Sequence, residues 1–258
     1  MEKKRFLTVF FSVALAISAS TAYAQQSNFS VTPPPLASPS FERGQKDIKF
    51  GIVGVSVEGE GFELTGGGVN IVPRHAFTDH VAGNLQLGLS ALSGETAIGT
   101  FKSDLSFMNM QFGLNLELQP VKAKMASLIF FGGPLLNLGL GSVDYSYSLF
   151  GKTYTDTMNI TTTMFGVQGG AQVGIKLGPF HLDPFAMISS QSGTTTVDTS
   201  FTSTSSDIPS FTTTSYGADI VFLPWNLTLS SMLQQAAKAG DNEESDTTVV
   251  MLSFSKKF

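Results

Sequence analysis

The chain has 258 residues, a formal net charge of −5 and no cysteine, so disulfides, thiolate metal sites and a cysteine-borne lipoprotein anchor are all excluded. Charged residues make up only 14 %, against 22 phenylalanines and 26 glycines, a balance that suits a surface meeting hydrocarbon rather than water. The mild acidity argues against a nucleic-acid partner.

Residues 1–24 read as a secretory signal peptide. Lys3, Lys4 and Arg5 form a basic start, Phe6 to Ile17 an apolar run broken only by Thr8 and Ser12, and Ala22-Tyr23-Ala24 a small-x-small cleavage pattern. Cleavage before Gln25 takes away three positive charges and Glu2, which moves the net charge to −7. Residues 25–45 then read as a flexible periplasmic tail, rich in Ser and Gln and carrying the Pro33-Pro34-Pro35 run, with nothing to bury in a core.

Period-two alternation dominates from residue 46 to 258, the span expected to form the folded domain. Met108, Met110, Phe112, Leu114, Leu116 and Leu118 share one face, and Asn109, Gln111, Gly113, Asn115 and Glu117 the other. Phe165, Val167, Gly169, Ala171, Val173, Ile175 and Leu177 repeat the pattern against Gly166, Gln168, Gly170, Gln172, Gly174 and Lys176. Successive strand side chains point to opposite faces, so each segment has an apolar wall and a wall of amides and glycines. Each is also long enough to cross a bilayer as a tilted strand, which takes about 9–11 residues. Strands of a soluble sandwich are shorter, about 5–6 residues, and expose Lys, Glu and Thr.

The same reading places strands at 48–57, 62–72, 82–92, 103–119, 126–140, 161–177, 180–190, 211–223, 226–236 and 246–258. The fold class is therefore all-β: an antiparallel up-and-down transmembrane β-barrel of about ten strands, with eight or twelve as the alternatives. Gly178-Pro179 and Pro224-Trp225 are tight turns, and residues 119–124 form a short one; longer outer links fall at 142–159, 191–210 and 237–245. Gly132-Gly133-Pro134 interrupts one strand and predicts a bulge or kink, beyond which the side-chain facing inverts if a bulge forms. After the signal no stretch of about 18 apolar residues remains, so a helical bundle is excluded and an apolar-walled sheet has to close on itself.

The chain ends in a strand, Val249 to Phe258, that finishes on a terminal phenylalanine. It resembles the C-terminal signal of outer-membrane β-barrel proteins, with Leu252, Phe254 and Phe258 at the spaced hydrophobic positions; Lys256 departs from the pattern, and the usual upstream glycine is absent. The hairpin around Ala218-Asp219 and Leu223-Pro224-Trp225-Asn226-Leu227 is similar to the closing hairpin of small barrels in the broad porin or OmpA-like superfamily. The resemblance implies a fold, an address in the outer membrane of a Gram-negative-type cell envelope, and the lipid bilayer and the barrel assembly machinery as partners. It implies no activity and leaves the oligomeric state open.

Phe180, Phe222, Trp225 and Phe258 fall at the expected periplasmic ends, where an interfacial girdle belongs. Tyr145, Tyr147 and Tyr154 fall in an outer loop. Glu117, Lys176 and Asp219 are read as lumen charges, serving either as a salt-bridged plug or as a selective constriction. Gln86, Asn109, Gln111, Asn115, Gln168 and Gln172 share that wall. His75, His80 and the His181-Leu182-Asp183 pair suggest metal or acid–base chemistry, yet all three histidines fall at the periplasmic end, so no catalytic, cofactor or metal residue is assigned. In the outer half only carboxylates remain as chemistry: Asp144, Asp156, Asp198 and Asp207. The Ser/Thr-rich stretch 192–215 is either a binding surface or a hairpin standing above the membrane.

The expected function is an outer-membrane barrel with a structural, surface-interaction or narrow-pore role, and no enzyme. The alternative is a passive porin-like channel for small polar solutes or ions, and the third reading an outer-membrane enzyme acting on lipid or peptide.

Overall fold

The computed structural model describes residues 40–59, 62–98, 101–149, 152–200, 202–238 and 244–258; the expected signal segment and nearly all of the expected tail lie outside them. The described chain forms ten strands: β1 (Lys46–Gly59), β2 (Phe62–Ala76), β3 (Val81–Ile98), β4 (Phe101–Lys122), β5 (Ala126–Leu149), β6 (Lys152–Leu177), β7 (Phe180–Asp198), β8 (Ser203–Phe222), β9 (Leu227–Lys238) and β10 (Glu244–Lys257). Every neighbouring pair is antiparallel, and β10 returns to β1 from Asp47–Lys257 up to Glu58–Asp246, so the barrel is closed. All ten expected strands are present.

The strands run further than alternating hydropathy reached. Residues 142–159, expected as a loop, continue β5 and β6 in register to Leu149–Lys152. Residues 191–210 likewise continue β7 and β8 to Asp198–Ser203, so the Ser/Thr-rich stretch is a hairpin. Threonine and tyrosine favour extended backbone wherever they sit, and above the membrane both faces of the sheet can be polar.

Proline explains where the ladders give way. Pairing skips Val72–Pro73 between β2 and β3, Gly133–Pro134 between β4 and β5, and Asp183–Pro184 between β6 and β7, resuming each time in the same register. The bulge expected at Gly132-Gly133-Pro134 therefore does not form, and the facing of 135–140 does not invert: Leu135 and Asn137 point inward and Leu140 outward. Gly133 permits this, because a Cβ there would lie 1.8 Å from the Leu114 carbonyl oxygen. The true register shifts lie at Leu118/Val121 and Gln191/Gly193, opposite or beside Pro120 and Pro209. Across the second, β8 changes parity, with Ile208 and Phe211 both buried.

The outside carries an apolar band. On β4 it runs from Met108 to Leu118, with Leu114 60 % exposed although leucine is among the residues most often buried. Directly above it, Glu63, Glu95, Asp104 and Asp144 lie in lateral register on β2 to β5, all exposed. A row of carboxylates cannot sit in hydrocarbon, so it marks the outer limit of the band. At the opposite end Phe180, Phe222 and Trp225 stack, with centroids 5.1 and 4.9 Å apart. The short turns lie at this end: Gly178 turns at φ 64°, and Asn226 closes the 3-10 turn Leu223–Trp225 at φ 51°.

Candidate functional site

The lumen is the one place where the fold gathers polar chemistry in isolation from water, and it has two storeys. In the outer half, Val53, Val55, Val57, Leu64, Leu92, Leu105, Phe107, Val143, Tyr145, Met158, Ile160, Val197 and Val249 form one buried apolar cluster. The wall of amides and glycines expected throughout is thus confined to the lower and middle levels. Higher up on β1 the apolar Val53, Val55 and Val57 face inward and Gly54 and Ser56 outward, so the alternation continues with its sense reversed.

Below the cluster a polar network crosses the barrel. Arg74 on β2 donates to Asp47 on β1 and, at 3.2 Å, to Glu117 on β4. Glu117 also accepts from Asn84 on β3. Asn115 donates to Asn84 at 3.1 Å, and Gln168 on β6 donates to Asn115 at 2.9 Å and to Gln86 at 3.2 Å. Every member is buried. Charged groups out of water demand such partners, and here each carboxylate of the cluster has them.

A second ion pair spans the lumen: Lys49 on β1 donates to Asp219 on β8 at 3.1 Å. Asp219 stands directly opposite Asp183 on β7, and Asp183 is fully buried.

The periplasmic mouth is lidded. Phe41, expected in the flexible tail, folds back under the barrel and is 1 % exposed. Its ring lies 5.1 Å from the Arg74 guanidinium carbon. Its backbone N–H donates to the Gln119 side chain at 3.0 Å, and its carbonyl accepts from Gln119 and Lys122. Ala76, Ala82, Ile129, Phe131 and Met187 complete its pocket.

Glu117 and Asp219 lie in the lumen as expected. Lys176 does not join them: it lies on the inward-facing register, but past the last lumen layer, and is exposed at the rim. Gln86, Gln111, Asn115, Gln168 and Gln172 are buried inside, and Asn109 is half-buried. Leu252, Phe254 and Phe258 all face outward, 50 %, 50 % and 69 % exposed. His75 rests edge-on against Phe77, His80 contacts the Gln119 carbonyl, and His181 approaches Asp183 at 3.7 Å. The four outer carboxylates are not brought together. Asp144 faces out and accepts from Thr157; Asp156 faces in and accepts from Tyr145 and Ser200; Asp198 and Asp207 sit apart on the β7–β8 hairpin. Tyr147 and Tyr154 are backbone register partners on β5 and β6.

Asp47, Lys49, Arg74, Asp183 and Phe41 were missed as lumen groups. The first two were legible, since they alternate with Ile48 and Phe50; Arg74 was hidden behind Pro73, which ended the expected strand too early.

No protein-family model matches the chain, and no curated protein matches it. Solved structures do. The outer membrane protease OmpT of Escherichia coli is similar with a TM-score of 0.55 at 8 % identity, over 83 % of this chain and 96 % of that one. The outer membrane protein OprG of Pseudomonas aeruginosa gives 0.41 at 11 %, over 85 % and 98 %, and Neisserial surface protein A 0.33 at 12 %, over 82 % and 99 %. The fold is that of an outer-membrane β-barrel.

Proposed function

We propose that this protein is a closed, non-conducting barrel of the outer membrane, with a structural and surface-interaction role carried by its extracellular hairpins. The observation behind this reading is the filled lumen. The Phe41 lid, the Arg74 network and the apolar cluster stand one above another, and ions do not cross a packed apolar layer. The exported address rests on the signal-like N-terminus, the lipid-facing band and the terminal-phenylalanine strand. The likeness to a protease speaks for fold alone, and all three histidines lie at the periplasmic end, away from the outer carboxylates.

The test is conductance of the refolded chain from Gln25 to Phe258 in a planar bilayer, with heat-dependent gel mobility as the folding control. A folded and silent barrel is expected. Reproducible conductance steps would overturn the reading in favour of a channel.

A further inference from the structure

Among the described residues, six ionisable side chains are buried in the lumen at 3 % exposure or less: Asp47, Glu117, Asp183 and Asp219 against Lys49 and Arg74. The carboxylates outnumber the cations two to one. Three of the four are answered, Asp47 and Glu117 by Arg74 and Asp219 by Lys49. Asp183 is the one left over. Its carboxylate oxygens have only the Ile175 backbone N–H and, at 3.7 Å, the His181 imidazole beside them.

Other unpartnered oxygens surround it. Asp183, Asp219 and Ser230 are direct register neighbours on β7, β8 and β9, all facing inward. Opposite residues in such ladders have Cα atoms about 4.5–5.5 Å apart. Asp219 Oδ1 and Ser230 Oγ are buried without partners, and so is Gln172 Oε1, diagonally across from Asp183 on β6. On the side towards β6, where the ladder skips Asp183, the register places Gly174 level with it, a residue that fills no space with a side chain. Buried polar atoms are satisfied in the great majority of proteins, and five unanswered oxygens in one corner point to something that answers them together.

We propose that the Asp183–Asp219–Ser230 row, with Gln172, is a lumenal binding site for one alkali cation, with sodium as its ligand. Hard cations take oxygen ligands, and these five are carboxylate, hydroxyl and amide oxygens. Charge sets the valence: with Asp183 ionised, Asp183, Asp219 and Lys49 together carry one surplus negative charge, which a single positive charge cancels. A divalent ion would leave a positive excess beside the Lys49 ammonium. Lys176 and Lys257 are exposed at the rim, and the His181 imidazole stands 3.7 Å from Asp183, so the experiment is run at pH 8, above the ordinary histidine range.

The refolded chain is unfolded thermally in sodium chloride and in choline chloride at equal ionic strength, as wild type, Asp183→Asn and Ser230→Ala. In wild type the folded-to-unfolded ratio rises about tenfold when sodium reaches ten times its dissociation constant, and choline gives no such rise. Asp183→Asn loses the sodium dependence while keeping its heat-modifiable band, and Ser230→Ala weakens it. Line broadening of the sodium-23 resonance by the wild-type barrel, absent with Asp183→Asn, reports the same site without unfolding. Equal stability of wild type in the two salts, or no broadening, overturns the proposal and leaves the charge to a proton. Conductance does not enter either readout, so this outcome and that of the closed-barrel reading are separable.

Discussion

Arg74 and Glu117 meet at 3.2 Å inside the barrel with neither side chain exposed, and Asp47 closes on the same guanidinium from the other side. One cation thus ties β1, β2 and β4 together inside the barrel. The same guanidinium carries the Phe41 ring. Lid and lumenal network meet at this guanidinium.

Truncating that side chain strands two buried carboxylates. Arg74→Ala is expected to cost about 3–5 kcal/mol, the usual penalty for breaking a buried pair from one side. Replacing Arg74 by Met together with Asp47→Asn and Glu117→Gln recovers most of it, because no charge is then left uncompensated. Equilibrium urea unfolding of the refolded barrel measures both. A single-variant loss near zero would show that the network is solvated and does not fasten the wall.

How far the sequence reached is visible in these residues. Ten strands, their alternation and the tight turns at Gly178 and Pro224 were legible, because a lipid-facing wall opposite an amide wall gives maximal hydropathy contrast with period two. Where that contrast changes, the reading stopped. In the outer halves the inward face turns apolar (Val143, Tyr145, Met158, Val197) and the outward face polar (Asp144, Thr157, Asp198). The contrast reverses its sense there, and a reading anchored on an apolar outer wall did not follow it. Lys176 kept the right parity but not the right depth, since period two fixes a face and says nothing of where the lumen ends. Phe41 carried no periodic signal at all. It is an aromatic in a polar tail, placed by a pocket whose residues come from four strands, β2, β3, β5 and β7.

Depth in the membrane can be read by substitution. Leu114→Arg puts a charge at the middle of the apolar band and is expected to cost about 2–4 kcal/mol, whereas Ser106→Arg, beside the carboxylate row at Asp104, is expected to cost about 0–1 kcal/mol. Refolding yield into lipid vesicles, read by gel mobility, orders the two. The reverse order would invert the band.

Phe41→Ala removes the ring from a pocket in which it is almost wholly enclosed. Loss of a buried aromatic side chain costs about 3–5 kcal/mol, and the cation–π contact to Arg74 goes with it. Thermal unfolding checks the stability. Conductance checks the architecture: the variant stays silent, because the apolar cluster above is untouched. Ion currents from Phe41→Ala would mean that the lid alone closes the barrel.

Phe258 poses a different question, since it is 69 % exposed and packs against little beyond the Lys256 ammonium, 4.9 Å from its ring. Its backbone completes the seam, with its N–H donating to the Lys46 carbonyl at 2.8 Å. A side chain that contributes so little to packing contributes little to stability: removing an exposed residue at a strand end falls within about 0.5 kcal/mol. If Leu252, Phe254 and Phe258 form the assembly signal that the terminal strand resembles, the consequence lies in biogenesis instead. Phe258→Ala is therefore expected to refold in detergent with wild-type melting, yet to reach the outer membrane at a reduced level when expressed in cells. The two measurements are made on one variant. Normal membrane levels would remove the signal role, and a large loss of melting temperature in detergent would show that the ring holds the β1–β10 seam after all.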